Sequence, residues 1–382
     1  MPDGNAAAQR AHAFSSMILD SGYQPVVIGM RRSSDGAVRR GVTEGDVLLW
    51  EMRYPSSAGK WLKMTVSIRE IRRCMEELGQ ENIHAVIAMD YFSCAFARLL
   101  RYCRSRDILF IGDAVDWFSR SQYAFPKNII KDLDTAVRMR FLYPRMRRMI
   151  VISEYLKRQY ASHVGQIAEI PGVVLPDREQ TERLYHPNQL LTFSFVGAPG
   201  KKCEKEKIDW LIRILCKINA KKRRVVFHAA GVDEKTLLNN LPELGALPAF
   251  RETVVLHGRI SHKECMELTA KSDFSVIIRE DNRLSRAGFP TKLGEAFACG
   301  TPVLVTPAGN MADYIPEGYG FVAGACTCEA LNETVEHMLE LSREEIARMH
   351  RVVASHNPLD CTQFAPRMQM ILERGEMVHA DT

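Results

Sequence analysis

Two sets of short apolar runs alternating with helical patterns, separated by one proline-rich break, constrain the fold of this chain more than any other feature. In the first set, β-rich runs at 24–30, 46–52, 83–89, 107–112 and 149–152 end in small or polar residues, and helical patterns at 6–19, 68–78, 92–104 and 129–141 lie between most of them. Strand then helix, repeated, predicts a parallel sheet covered by helices on both faces. Residues 170–189 break the rhythm: Pro171, Pro176 and Pro187 stand among polar residues, the composition of a connection between domains. The second set predicts strands at 191–196, 224–229, 254–256, 274–278 and 302–305, with helices near 207–218, 262–271 and 291–299. Ser261 and Glu264 stand three apart at the start of the middle helix, the spacing of a capping box.

The fold class predicted by this alternation is α/β, with two doubly wound, Rossmann-like domains facing across a cleft. The expected division is 1–180 for the first domain, 190–355 for the second, and a C-terminal helix within 356–382 that packs back toward the first. Length agrees, because 382 residues exceed what one hydrophobic core usually supports. Ligands of doubly wound sheets gather beyond the carboxyl ends of the strands, so residues there are the candidates for function.

Composition removes several alternatives. A hydrophobic content of 46% and a charged content of 25% are those of a soluble globular chain, and no run approaches the roughly 18 apolar residues of a membrane span. The N-terminus lacks the basic start and apolar core of a secretory signal, so the expected location is the cytoplasm, including the inner face of the cell membrane. The 10 cysteines are scattered without a Cys-x-x-Cys and read as small core residues, and no metal site is expected. A net charge of +5 is too mild to indicate a nucleic-acid partner. It is uneven, however. Between Lys127 and Arg158 lie Lys131, Arg138, Arg140, Arg145, Arg147, Arg148 and Lys157, interleaved with Val137, Met139, Phe141, Leu142, Met146 and Met149. Two readings stay open there: a solvated helix face, and a surface that docks on anionic lipid or a phosphate-bearing acceptor.

Chemistry concentrates in Ala287 to Val303, AGFPTKLGEAFACGTPV. Pro290 and Thr291 suit a helix start, where unpaired amides and the macrodipole attract phosphate. Lys292 adds a full positive charge in the first turn, where it is mildly unfavourable to the helix and so better explained by a ligand. Glu295 lies one turn further on, where a carboxylate can accept the hydroxyls of a ribose. A surface helix with incidental charges is the competing reading.

Gly288-Phe289-Pro290 through Glu295, followed by Cys299-Gly300-Thr301-Pro302-Val303, resembles the signature of the retaining family 4 (group 1) glycosyltransferases, which have the GT-B fold. The resemblance implies that Gly288, Phe289, Pro290, Thr291, Lys292 and Glu295 bind a nucleotide-sugar donor. Phe195 to Lys202 is similar to the family's first C-terminal strand and its turn, which implies that Gly197 approaches the donor and that Lys202, with Lys201 close behind, binds phosphate. Without the family, the two lysines read as a surface turn. Leu256 to Ile260 resembles the loop that meets the nucleobase, placing Arg259 near the diphosphate and Ile260 beside it. His257 and His262 invite an acid–base reading, but their family counterparts are usually structural.

Arg279, Arg283 and Arg286 flank the donor segment and suit a leaving diphosphate or a phosphorylated acceptor. In the first domain, Asp113 ends a strand where the family often has a polar residue facing the donor sugar, as an acceptor-orienting group or base; a structural turn aspartate fits equally. Asp90 is a second candidate of this kind. The resemblance implies sugar transfer without metal or cofactor to a glycan, lipid-linked acceptors included. Two departures stand out. Ala287 occupies the place of the first of the family's two glutamates, with Glu280 or Asp281 as substitutes from the same loop. The chain also begins at Pro2-Asp3-Gly4-Asn5 without the family's first strand, which leaves Gly4 to approach donor or acceptor. The rival readings are a nucleotide-sugar epimerase on the same architecture and a non-catalytic GT-B-like partner of another glycosyltransferase.

Overall fold

The strand–helix rhythm persists in a computed structural model, which describes residues 6–31, 40–44, 46–117, 127–175 and 190–374. The chain folds as two compact units, one comprising Arg10–Pro171 and the chain from Cys361 on, the other dominated by Gly172–Asp360.

In the first unit the order is α1 (Ala6–Asp20), β1 (Val26–Arg31), β2 (Arg40–Glu44), β3 (Val47–Arg53), α2 (Ala58–Val66), α3 (Arg69–Glu77) and β4 (Ala85–Met89). Then come α4 (Ser93–Arg104), β5 (Leu109–Ala114), α5 (Lys127–Val137), β6 (Arg148–Val151), α6 (Glu154–Tyr160) and β7 (Gln166–Glu169). These strands make two sheets: a parallel one in the order β4-β5-β6-β7, and a mixed one, β1-β3-β2, in which β2 runs antiparallel to β3. Among the described residues no strand joins the two, which corrects the expectation of one continuous parallel sheet. Helix α4 buries Ala95, Phe96 and Leu99, four-apart spacing that puts them on one face. Phe96 stands edge-on to both Phe110 and Tyr143.

The second unit contains β8 (Leu191–Val196), α7 (Ile208–Lys221), β9 (Val225–Ala230), α8 (Glu234–Asn240), α9 (Phe250–Thr253), β10 (Val254–Gly258) and α10 (His262–Ala270). It continues with β11 (Phe274–Ile277), α11 (Arg283–Ala287), α12 (Thr291–Ala298), β12 (Val303–Val305), β13 (Gly320–Val322), α13 (Cys328–Met338) and α14 (Arg343–Ser355). Its six strands are all parallel, in the order β10-β9-β8-β11-β12-β13. Phe193, Phe195, Phe227 and Phe274 are fully buried in its core against Ile208, Leu211 and Leu215 of α7. The Ser261–Glu264 capping box forms, each side chain bonding the other's backbone amide.

The last described helix, α15 (Ala365–Leu372), belongs to the first unit and lies against β6 and β7. Arg148 donates to the Ile371 carbonyl at 2.9 Å, and Arg367 donates to that of Glu169 at 2.6 Å.

Candidate functional site

The strand order of the second unit reverses between β8 and β11, so the connections leaving these two strands run to opposite sides and open a crevice beyond their carboxyl ends. Gly197 leaves β8 at φ +127°, and Gly231 leaves β9 at φ +93°. A Cβ on Gly231 would lie 2.5 Å from the Gly197 carbonyl oxygen, so only glycine lets the two strand ends touch. Gly231→Ala should therefore cost about 1–3 kcal/mol, from strain at positive φ and the backbone clash together. An unchanged denaturant midpoint would mean that the two ends are apart in solution.

Within this crevice, three donor atoms of two cations share one carboxylate oxygen. Glu206 is fully buried; its Oε1 accepts from Arg279 Nε at 2.9 Å, from Arg279 Nη2 at 2.8 Å and from Lys292 Nζ at 3.0 Å. Its Oε2 is buried without a hydrogen-bond partner. The Lys292 ammonium also sits 4.1 Å from the centroid of the Phe195 ring, a cation–π contact. The backbone of Gly197 passes close beneath it: a Cβ there would be 2.9 Å from Lys292 Cε. Arg279 is fixed through its main chain, its N–H donating to Thr306 Oγ1 at 2.7 Å while that hydroxyl donates back to the Arg279 carbonyl at 2.6 Å.

Two cations against one anion leave the cluster with a net positive charge in a site largely removed from water. Burial pushes the Glu206 carboxyl up, but Arg279 and Lys292 beside it win and hold it below the usual glutamate value. Burial lowers the Lys292 ammonium to about 8, against the stabilising pull of Glu206 and with the repulsion of Arg279. Glu295 is raised, mainly by burial, although His262 and Lys292 oppose the shift.

The donor segment is seated by close packing. Pro290 precedes α12 in extended conformation, and Phe289 is buried edge-on to Tyr314. A Cβ on Gly172 would stand 3.1 Å from Phe289 Cδ1 and 3.2 Å from the Thr291 amide nitrogen, and one on Gly294 would stand 3.0 Å from the Gly172 carbonyl. Gly288 and Pro290 are buried and Thr291 is half-buried. Lys201 and Lys202 are exposed on the turn after Gly200, Lys202 at φ +54°, and the ionic contacts of Glu206 go to Lys292 and Arg279 rather than to them. Arg259 is exposed directly after β10, with Ile260 half-buried beside it.

Several expected roles change. Arg279 is no free acceptor-side cation: it is buried and committed to Glu206. Arg283 is exposed, whereas Arg286 pairs with Asp281 at 2.6 Å. Glu280 pairs with Lys207 at 2.9 Å, so both carboxylates proposed to replace the glutamate missing at Ala287 already have cations. Ala287 itself is fully buried. His257 stacks on His228, with 3.0 Å between Nε2 and Nδ1.

In the first unit, Asp113 is fully buried and both its oxygens accept from Arg10, at 2.8 Å from Nε and 2.7 Å from Nη2. That fork consumes the carboxylate, so the base role gives way to a structural one. Arg10 Nη1 further donates to the carbonyls of Ile170 and Pro171. Asp90 follows β4 at φ +41°, its carboxylate 3.4 Å from Arg138. Burial raises Asp90 to about 7 despite Arg138, with Asp116 and Asp113 pushing the same way. Gly4 lies outside the described residues. Sequence reasoning missed Glu206, because within Glu204-Lys205-Glu206-Lys207 it reads as one member of a solvated charge run, and only the turn after Gly200 directs it inward.

Among the described residues, no group of His, Cys, Asp and Glu could hold a metal ion, and no helix is long and apolar enough to cross a membrane. No curated protein matches the sequence. Solved structures do match the fold. Sucrose-phosphate synthase (tll1590) from Thermosynechococcus elongatus superposes with a TM-score of 0.65 at 14% identity, covering 96% of this chain and 92% of that one. WaaG, a glycosyltransferase involved in lipopolysaccharide biosynthesis, gives 0.63 at 14% identity over 98% of both chains. Anabaena Alr3699/HepE, solved in complex with UDP, gives 0.59 at 13% identity, over 97% of this chain and 96% of that one. The architecture is thus GT-B, with two Rossmann-like domains. Residues 191–341, which contain the whole Glu206 cluster, match the family Glycosyl transferases group 1, and the chain is a glycosyltransferase.

Proposed function

We propose that the chain transfers a sugar from a nucleoside diphosphate sugar to an acceptor hydroxyl on a growing glycan, with retention and without metal or cofactor, as a member of family 4 in surface-polysaccharide assembly. The observation that carries this reading is the buried pair of cations on Glu206: Lys292 and Arg279 give a net positive, water-poor pocket at the switch point of a doubly wound sheet. Such a pocket suits a leaving diphosphate, whose developing charge it stabilises without reorganisation. Lys201, Lys202 and Arg259 extend the positive surface toward the rest of the diphosphate, the turn at Gly197 lets the donor come close, and Glu295 accepts ribose hydroxyls. Gly288 to Thr291 hold the start of α12 in place. On the acceptor side, Asp90 orients the hydroxyl, and Arg283 meets an anionic acceptor.

Lys292→Ala should weaken binding of a nucleoside diphosphate about 10- to 100-fold, the loss of one charge-assisted hydrogen bond, while the circular-dichroism spectrum stays unchanged. Unaltered affinity by calorimetry would remove the site. The pH dependence has a fixed sign. Lys292 is protonated below about 8 and loses its charge as pH rises through that value. Diphosphate affinity should therefore fall between pH 7 and 9 in the native chain and stay flat in Lys292→Ala. Turnover unchanged in EDTA belongs to the same assay.

A further inference from the structure

The basic residues between Lys127 and Arg158 do not gather on one surface: Arg138 is buried between Asp90 and Asp134, Arg148 bonds the carbonyl of Ile371, and Lys157 pairs with Glu154 and Glu169. Positive charge gathers instead on α3 and α4. From Met64 to Pro126 the sequence has no lysine, and its cations there are arginines. Five of them, Arg69, Arg72 and Arg73 of α3 with Arg98 and Arg101 of α4, line a groove of about 800 Å³ between the two helices. Glu76 is the one carboxylate among the described residues lining it, so five arginines against one glutamate leave the groove a net charge of +4, beside +5 for the whole chain.

The arginines stand three and four apart on α3 and three apart on α4, so each set occupies one face of its helix and the two sets meet across the groove. Like charges at these spacings repel one another. The carboxylates nearby do little to relieve them. Arg72 reaches Glu76 at 3.4 Å and Arg73 reaches Glu77 at 2.9 Å, but both pairs are about half exposed, where ion pairs contribute little. Glu70, the remaining acid of α3, pairs with Arg40 at 2.7 Å, and α4 contains no acid. Two of the guanidiniums are already held in place. Arg98 donates to the Val66 carbonyl at 2.7 Å, and Arg72 lies 5.1 Å over the ring of the buried Tyr102, whose hydroxyl accepts from Gln80 at 3.0 Å.

We infer that the groove between α3 and α4 is a binding site for a small soluble molecule carrying at least two phosphate groups. The charge sets the number of phosphates: each carries about −1.5 to −2 at neutral pH, so one leaves the groove with a positive excess and two or more neutralise it. The side chains set the kind of anion, because guanidinium forks take phosphate oxygens in pairs where an ammonium offers a point charge. The volume sets the size, since about 800 Å³ lies within the range of small-molecule sites. The site is separate from the Glu206 pocket, lies wholly within the first unit, and does not rest on the sugar-transfer reading.

The test is calorimetric titration of the full chain with tripolyphosphate, at low and at physiological salt. The native chain should bind it, more weakly as salt rises, and its melting temperature should climb with the concentration of the anion. Arg98→Ala/Arg101→Ala should weaken binding about tenfold or more without lowering the melting temperature of the free chain, because both side chains are exposed. Arg69→Ala/Arg73→Ala on the facing wall should do the same. Lys221→Ala/Lys222→Ala, which removes the same charge from an exposed stretch of the second unit, should leave affinity within about twofold. Because tripolyphosphate also suits the diphosphate pocket, the titration is repeated in Lys292→Ala, where the groove's isotherm should persist whether or not that pocket binds nucleotide. No binding by the native chain at low salt, binding abolished in Lys292→Ala, or equal losses in the groove and control variants overturns the inference. So does capture of the chain by phosphatidylglycerol vesicles without binding of free tripolyphosphate.

Discussion

Glu206→Leu is expected to lower the unfolding free energy of the second unit by about 3–5 kcal/mol, the range for removing one partner of a buried ionic group. The reason is arithmetic of charge: Arg279 and Lys292 would face each other in a pocket largely removed from water, with no anion between them. The loss should depend on pH. Glu206 is what supports the Lys292 charge, and without it an ammonium already lowered to about 8 falls further. Deprotonation of Lys292 then relieves the repulsion, so the penalty measured by urea unfolding should be smaller at pH 9 than at pH 6. A penalty below about 1 kcal/mol at both values would place the cluster among solvent-exposed ion pairs.

Arg10→Met should have an effect of similar size on the first unit. The substitution leaves the Asp113 carboxylate fully buried with no counter-charge and takes the donor away from the carbonyls of Ile170 and Pro171. About 3–5 kcal/mol is again expected, and Arg10→Met/Asp113→Leu should recover part of it, because two apolar side chains need no partner. A double variant no better than the single one would show that the carbonyls of Ile170 and Pro171, rather than the carboxylate, dominate the cost.

How much of this was legible in the sequence follows from where each residue finds its partners. Strand β8 is read to the residue because Leu191, Phe193 and Phe195 alternate with Thr192 and Ser194 and the run stops at Gly197. Strand β2, Arg-Gly-Val-Thr-Glu, carries no apolar pattern and exists because β3 pairs with it, and β13 is only three residues long. The site divides in the same way. Lys292 announces itself as a cation in a first helical turn, a local oddity. Glu206 and Arg10 sit in stretches where their charge looks ordinary, and their burial is decided by residues 86 and 103 positions away. Arg279 shows the converse: its place beside the donor segment was visible, while its commitment to Glu206 was not.

The placement of α15 has a consequence for biosynthesis. The helix that covers β6 and β7 lies beyond Asp360, so the whole of Gly172–Asp360 leaves the ribosome before the first unit receives its last element. A chain growing from its N-terminus therefore holds every segment of the second sheet while the first unit still has uncovered apolar surface over β6 and β7. The domain begun first is finished last, and that interval is when a holding chaperone would have most to cover.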